Sequence, residues 1–139
     1  MKVEQVTGPI AAHGEGPVWS ERWGGLKWVD MTAGDVLSLE DDGSVTRRHV
    51  SAIVAAIRPR RSGGMVLGVE RGFALEDPDG SLHRLEALWT DAGVRMNEGG
   101  CDPDGRFYCG SMSTARTEGA GTLYRLNADR SVNVVLPNV

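Results

Sequence analysis

The feature of this sequence that most restricts its fold is a repeat of about 40 residues, a period at which propellers and solenoids are built. Three segments share one shape: VLSLEDDGSVTRRHV from Val36, FALEDPDGSLHRLEAL from Phe73, and LYRLNADRSVNVVL from Leu123. Each reads as a strand, an Asp-containing turn, a serine and a second strand. The serines Ser44, Ser81 and Ser131 lie 37 and then 50 residues apart. Each hairpin is preceded by another whose second strand starts just after a glycine: Gly25 before LKWVDM, Gly64 before MVLGVE, Gly105 before RFYCGSM. These glycines are 39 and 41 residues apart. The unit is therefore two consecutive hairpins, the content of one β-propeller blade. A jelly roll or sandwich is the alternative, and neither predicts a four-strand repeat of constant length.

No segment sustains an apolar repeat at helical spacing, while short alternating runs bounded by Gly, Asp and Pro recur throughout. The fold class read from this is all-β, with about three four-stranded blades over residues 1–139, at about 14–50, 51–90 and 94–139. The third repeat is longer because STARTEGAG, from Ser113 to Gly121, is inserted between its hairpins as a loop. Three blades make half a ring, which leaves a sheet face at each end for another body to cover. That predicts either a homodimer or association with a C-terminal half.

At 139 residues the chain is long enough for one domain with a core. Its formal net charge of −4, with 24% charged residues, gives no broad attraction to phosphate backbones, so nucleic acid is not expected as a partner. Arg58-Pro59-Arg60-Arg61 is a local exception without interleaved aromatics, and reads as a solvated turn. No signal-like leader and no window of about 20 apolar residues occurs, which predicts no membrane partner and a cytoplasmic location. Two cysteines, Cys101 and Cys109, are too few for a disulfide framework and are expected to be reduced.

The chemistry concentrates in Arg95–Met112, RMNEGGCDPDGRFYCGSM. Arg95 and Asn97 are two residues apart, so on an extended backbone both side chains point to one side and can touch one ligand. Asp102-Pro103-Asp104-Gly105 then reverses the chain. Glu15 lies in a second glycine-flanked stretch, GEGPVW, with His13 beside it as a loop histidine. Trp19, Trp28 and Phe107 read as core aromatics, and His49 and His83 as structural residues of outer hairpins. A Gly-x-Ser-x-Gly elbow, a His-Glu-x-x-His pair and a phosphate-cradling glycine loop are all absent from the sequence, and Ser111 and Ser113 have no placed histidine. No catalytic residue is assigned.

Gly14-Glu15-Gly16-Pro17-Val18-Trp19 resembles the first motif of the family that includes gluconolactonases, regucalcin (senescence marker protein) and luciferin-regenerating enzyme. RMNEGGCDPDGRFYCGSM resembles its Arg-x-Asn-Asp-Gly, Asp-Pro-x-Gly-Arg and Gly-x-Met motif. The resemblance covers essentially the whole chain and implies the N-terminal half of a six-bladed propeller. It further implies a metal-dependent hydrolase that opens a sugar lactone or similar small lactone, with one divalent ion, Ca²⁺, Zn²⁺, Mn²⁺ or Mg²⁺, near the top of the central channel. Such an ion polarises the lactone carbonyl and lowers the pKa of a bound water. By this resemblance Glu15 is a metal ligand, and Arg95, Asn97 and Glu98 bind substrate. Glu98 stands where the family usually has Asp, and Ala115 about where some members carry a substrate-contacting acid. The family's other metal ligands, an Asn in Ser-Asn-Gly and an Asp in Pro-Asp-Gly, are expected beyond Val139. The competing expectation is a catalytically incomplete propeller fragment that acts as a binding or scaffold module.

Overall fold

Each of the three repeated turns closes on its own aspartate. Asp42 Oδ1 accepts the Ser44 N–H at 2.9 Å, Asp79 Oδ1 that of Ser81 at 2.9 Å, and Asp129 Oδ1 that of Ser131 at 3.0 Å. An aspartate that satisfies an N–H two residues on reverses the chain without help from elsewhere. The residue between Asp and Ser sits in the left-handed region in all three turns: Gly43 at φ 81°, Gly80 at φ 84° and Arg130 at φ 69°. Two turns use the residue that tolerates this conformation, and the third does not.

The computed structural model describes residues 2–139. The first sheet holds β1 (Gly14–Ser20), β2 (Gly25–Asp30), β3 (Asp35–Leu39) and β4 (Val45–His49). The second holds β5 (Val54–Pro59), β6 (Met65–Val69), β7 (Gly72–Glu76) and β8 (Leu82–Arg84). The third holds β9 (Val94–Cys101), β10 (Phe107–Ser113), β11 (Thr122–Leu126) and β12 (Val132–Pro137). Every sheet is an antiparallel meander in sequence order. Short 3-10 turns at Glu21–Trp23 and Met31–Ala33 are the helical elements among the described residues, so none of them forms a helix long and apolar enough to cross a membrane.

The second sheet lies between the other two, with β5 against both β1 and β9. Its sequence shows why. A sheet covered on both faces must be apolar at every position, not at alternate ones, and β6 and β7 are buried along their whole lengths. Met65, Leu67 and Ala74 look toward the first sheet, where Arg48 of β4 pairs with Glu76. Val66, Gly68 and Phe73 look toward the third, where Phe73 meets Phe107 edge to face at 5.8 Å. A Cβ on Gly68 would lie 2.8 Å from Cys109 Sγ, so these two sheets close tightly at that point. The sheets thus fan from β1, β5 and β9 as three propeller blades.

Each outer sheet is covered on one face by the second sheet, and the other face of the first sheet is covered in part by the segment leading into β1, with Leu37 1% and Asp30 2% exposed. Val29 and Val36 of the first sheet are buried against the second, whereas Trp19 is 64% exposed. The sequence reading of Trp19 as a core aromatic is corrected here. Strand pairing puts Trp19 with Leu26, and Trp28 with Leu37, on the face turned away from the second sheet. Phe107 is 3% exposed and Trp28 half-buried. The Arg58-to-Arg61 run is also less solvated than expected: Arg60 pairs with Asp77 at 2.8 Å, and Arg58 reaches Glu98 at 3.7 Å.

Because Arg130 holds a conformation that costs non-glycine residues about 1–2 kcal/mol, Arg130→Gly should raise stability by about 0.5–1 kcal/mol after the entropy loss of glycine is subtracted. Gly80→Ala should lower it by about 1 kcal/mol. Urea unfolding midpoints of the two variants test the pair, and a shift in the same direction for both would contradict it.

Candidate functional site

All three innermost strands carry a one-residue β-bulge near their start. In β1 the register slips between Glu15 and Val18, in β5 between Val54 and Ala56, and in β9 between Met96 and Glu98. A bulge leaves one residue unpaired and re-aims its neighbours, which is why bulges gather beside functional sites. In β1 the slip is made by Gly16 at φ 52°, a value few other residues accept. In β9 the unpaired residue is Asn97 itself. At the equivalent place β5 carries Val54, Ala55 and Ala56, all 0% exposed, so the middle blade adds an apolar wall and no polar group.

Arg95 is anchored through one nitrogen. Its Nη1 donates to Asn97 Oδ1 at 3.0 Å and to the Met96 carbonyl at 2.9 Å, and also lies 3.2 Å from Met31 Sδ of the first blade. Fixing Asn97 Oδ1 as an acceptor turns the Asn97 NH₂ outward as a donor. The bulge brings Glu98, one residue on, to the neighbouring blades: its carboxylate lies 3.7 Å from Arg58 Nη2 of β5 and 3.7 Å from where a Cβ on Gly16 would be. Beside Gly16, Glu15 is 3.3 Å from His13 Nε2, with both side chains about half in solvent. The first blade's Gly16 and the third blade's Glu98 therefore meet beside β5. Two clefts lie elsewhere, one of about 150 Å³ on the second blade beside Ser51 and Arg71 and one of about 120 Å³ between the first two blades beside Lys27 and Glu76.

A protein-family model described as the SMP-30/Gluconolactonase/LRE-like region matches residues 13–139. The chain belongs to this family. Among curated relatives it is 35% identical over 129 residues to the 6-deoxy-6-sulfogluconolactonase of Pseudomonas putida, covering 91% of this chain and 44% of that protein. It is 34% identical over 140 aligned positions to the regucalcin of Xenopus laevis, covering 95% and 47%. The chain thus spans a little under half the length of these relatives. Among solved structures, a calcium-binding regucalcin from Agrobacterium tumefaciens superposes with a TM-score of 0.80 at 24% identity, over 93% of this chain and 44% of that one. A luciferin-regenerating enzyme superposes at 0.78 with 26% identity, over 93% and 47%. The fold is accordingly about three blades of a propeller of the six-bladed type.

The segment that carries His13 and Glu15 is held in place by a buried carboxylate that the sequence reading missed. Asp30, 2% exposed at the end of β2, accepts the backbone N–H of Ala12 at 3.0 Å and of His13 at 2.9 Å. It also accepts Arg47 Nη1 at 3.0 Å, and the same nitrogen reaches Asp35 at 2.6 Å. Arg47 further donates to the Ile10 carbonyl. This clamp ties the segment leading into β1, and so His13 and Glu15, to the first blade. Burial would push the Asp30 carboxyl up, but the His13 and Ala12 amides and the Arg47 guanidinium outweigh it and hold it below the ordinary value of 3.8. The Arg47 hydrogen bond does the same for Asp35, against burial and with help from His49. One signal existed in the sequence, an Asp at each end of the short link between two strands, but nothing in it named their partner.

Neither thiol is an activated nucleophile. Burial pushes the Cys109 thiol up to about 12, and the charge of Glu98 adds to it; burial also raises Cys101. Both cysteines are free, Cys101 exposed and Cys109 buried. Ser111 is taken up by the Thr122 backbone, and Ser113 by Ala115 and Thr117. His49 and His83 pair with Asp35 and Asp77 in outer hairpins.

Asp30→Asn should cost about 2 kcal/mol at neutral pH, because one charged hydrogen-bond acceptor is lost while Arg47 keeps Asp35. Lowered folded pKa values mean that the two aspartates stabilise fully above their unfolded pKa. That contribution fades as pH falls below about 3.8 through the lowered folded values. Thermal melts of wild type and Asp30→Asn should therefore converge as the pH is taken from 7 to below 3, and a gap that widens on acidification would contradict the clamp.

Proposed function

We propose that this chain supplies the substrate-binding half of a lactonase site for a sugar lactone or similar small lactone. What supports the reading is the Arg95–Asn97 pair and Glu98 at the bulge of β9, with Glu98 beside Gly16 of the bulged β1 that also carries Glu15, in a family whose relatives include a protein named for acting on a sulfogluconolactone. Arg95 keeps Nη2 and Nε for a ligand while Nη1 holds Asn97, and Asn97 presents a donor amide. Glu98 accepts hydroxyl protons. A sugar lactone needs this mixture of donors and acceptors around its ring hydroxyls.

The metal implied by the family does not find its full ligand set in these residues. Among the described residues no group of three or more His, Cys, Asp or Glu side chains could hold an ion. Glu15 with His13 provides at most two donors, short of the three protein ligands of a catalytic zinc site or the six to eight oxygens that calcium takes. Any divalent ion at Glu15 therefore needs ligands beyond these two side chains. The same observation favours the second reading, a catalytically incomplete fragment that binds without turnover.

Gluconolactone opening, corrected for its spontaneous hydrolysis, decides between the two. The lactonase reading expects an excess rate that a chelator removes and that Glu15→Gln abolishes. Arg95→Ala should weaken lactone binding by about 10- to 100-fold, the worth of one or two charged hydrogen bonds. Lactone binding seen by NMR without any excess rate would establish the binding module, and absence of both would reject the site.

A further inference from the structure

We propose that the cleft on the second blade binds a small carboxylate, which Arg84 holds there as Arg47 holds two aspartates in the first blade. The clamp around Arg47 has a counterpart one blade on, and strand pairing fixes the correspondence. Leu37 pairs with Arg47 in the first blade, and Ala74 with Arg84 in the second. Asp30 pairs with Asp35 where Val69 pairs with Gly72. The segments leading into the two sheets correspond as well: the Met31 N–H donates to the His13 carbonyl, and the Glu70 N–H to that of Ile53.

Matched in this way, the two arginines make the same backbone bond and differ in what else they meet. Arg47 donates to the Ile10 carbonyl and Arg84 to that of Val50, which stands to Ile53 as Ile10 stands to His13. Arg47 then reaches the carboxylates of Asp30 at 3.0 Å and Asp35 at 2.6 Å. Arg84 has a valine and a glycine in their places. Its side-chain partner is the Ser51 hydroxyl at 2.9 Å, and it forms no ion pair among the described residues. Where the first blade holds two carboxylates, the second holds a cleft of about 150 Å³, walled by Val69 and Gly72 themselves together with Ser51, Glu70, Arg71 and Arg84.

Donors outnumber acceptors on that wall. Ser51 is 6% exposed and accepts from Arg84, so its own proton is left to donate. Arg71 gives Nη1 to the Thr90 carbonyl at 3.1 Å, and its Nη2 lies 4.0 Å from Glu70, the acid on the wall. Two guanidinium groups facing one carboxylate leave a positive charge uncompensated. Asp30 in the first blade also takes the N–H groups of Ala12 and His13, whereas those of Ala52 and Ile53, at the same places one blade on, have no acceptor among the described residues. A carboxylate matches a guanidinium in shape and charge, and the first blade shows that group seated at this repeat position. Both blades that flank the second are present, with β5 against β1 and β9, so a neighbouring blade is not what fills the cleft. Nothing here uses the lactonase residues, and the proposal stands without that reading.

Titration of the isotope-labelled chain with sodium acetate at constant ionic strength, followed by NMR, should shift the amides of Ser51, Ala52, Ile53 and Gly72 saturably, while chloride leaves them in place. Val69→Asp supplies a carboxylate from within, as Asp30 does, and Arg84→Gln removes the guanidinium. Each should weaken acetate binding by at least about tenfold, the worth of one charged hydrogen bond. Val69→Asp should also melt above Val69→Asn at neutral pH, because only the aspartate meets the charge of Arg84, and this comparison holds even where Arg84→Gln loosens the link at Val50. Absence of saturable acetate shifts, acetate binding untouched in both Val69→Asp and Arg84→Gln, or an Asn variant that melts above the Asp variant overturns the proposal. Saturable shifts with inorganic phosphate and none with acetate would overturn the choice of carboxylate.

Discussion

A twisted four-stranded sheet with two apolar faces cannot be left in water on either of them, and this constraint shapes the whole molecule. The second blade satisfies it twice. Val54 to Ile57 are all 0% exposed because the first and third blades press on both sides of that sheet. Its neighbours satisfy it once each, which leaves Trp19 at one end and Leu136 at the other in solvent. Stability in such an array is a sum of blade and junction terms. The outer strands β4 and β12, exposed along most of their length, make the smallest contribution to it.

The same packing decides where chemistry can occur. Since β5 is walled in, its bulge carries Val54, Ala55 and Ala56, and its polar contribution comes further along the strand, where Arg58 reaches Glu98. The bulges bring Glu98 of β9 beside Gly16 of β1, while Arg95 holds Asn97 and leans across to Met31 of the first blade. Position is secured from behind by Asp30, whose buried charge is acceptable only because two amides and Arg47 satisfy it. Stability and site geometry are coupled through that one carboxylate: what holds the first blade's edge closed also sets where Glu15 stands.

The hairpin turns were legible in the sequence because they are local. Asp42, Asp79 and Asp129 each satisfy an N–H two residues away, and nothing distant is needed to form them. The pair Arg95 and Asn97 was readable from its two-residue spacing alone. Trp19 was not: an aromatic in a strand carries no mark of which face it lies on until its pairing with Leu26 is known. Nor was the approach of Glu98 to Gly16, which depends on a bulge in each of two strands 80 residues apart.

Residue order by itself determined the three meanders and the types of side chain offered to a ligand, since turn chemistry and strand alternation act over a few residues. Which faces are covered, that Arg47 bridges Asp30 and Asp35 beneath the entrance to β1, and that Arg58 reaches Glu98 were settled only by the tertiary structure. These are contacts between segments far apart in the chain, and their geometry depends on how one blade rotates against the next.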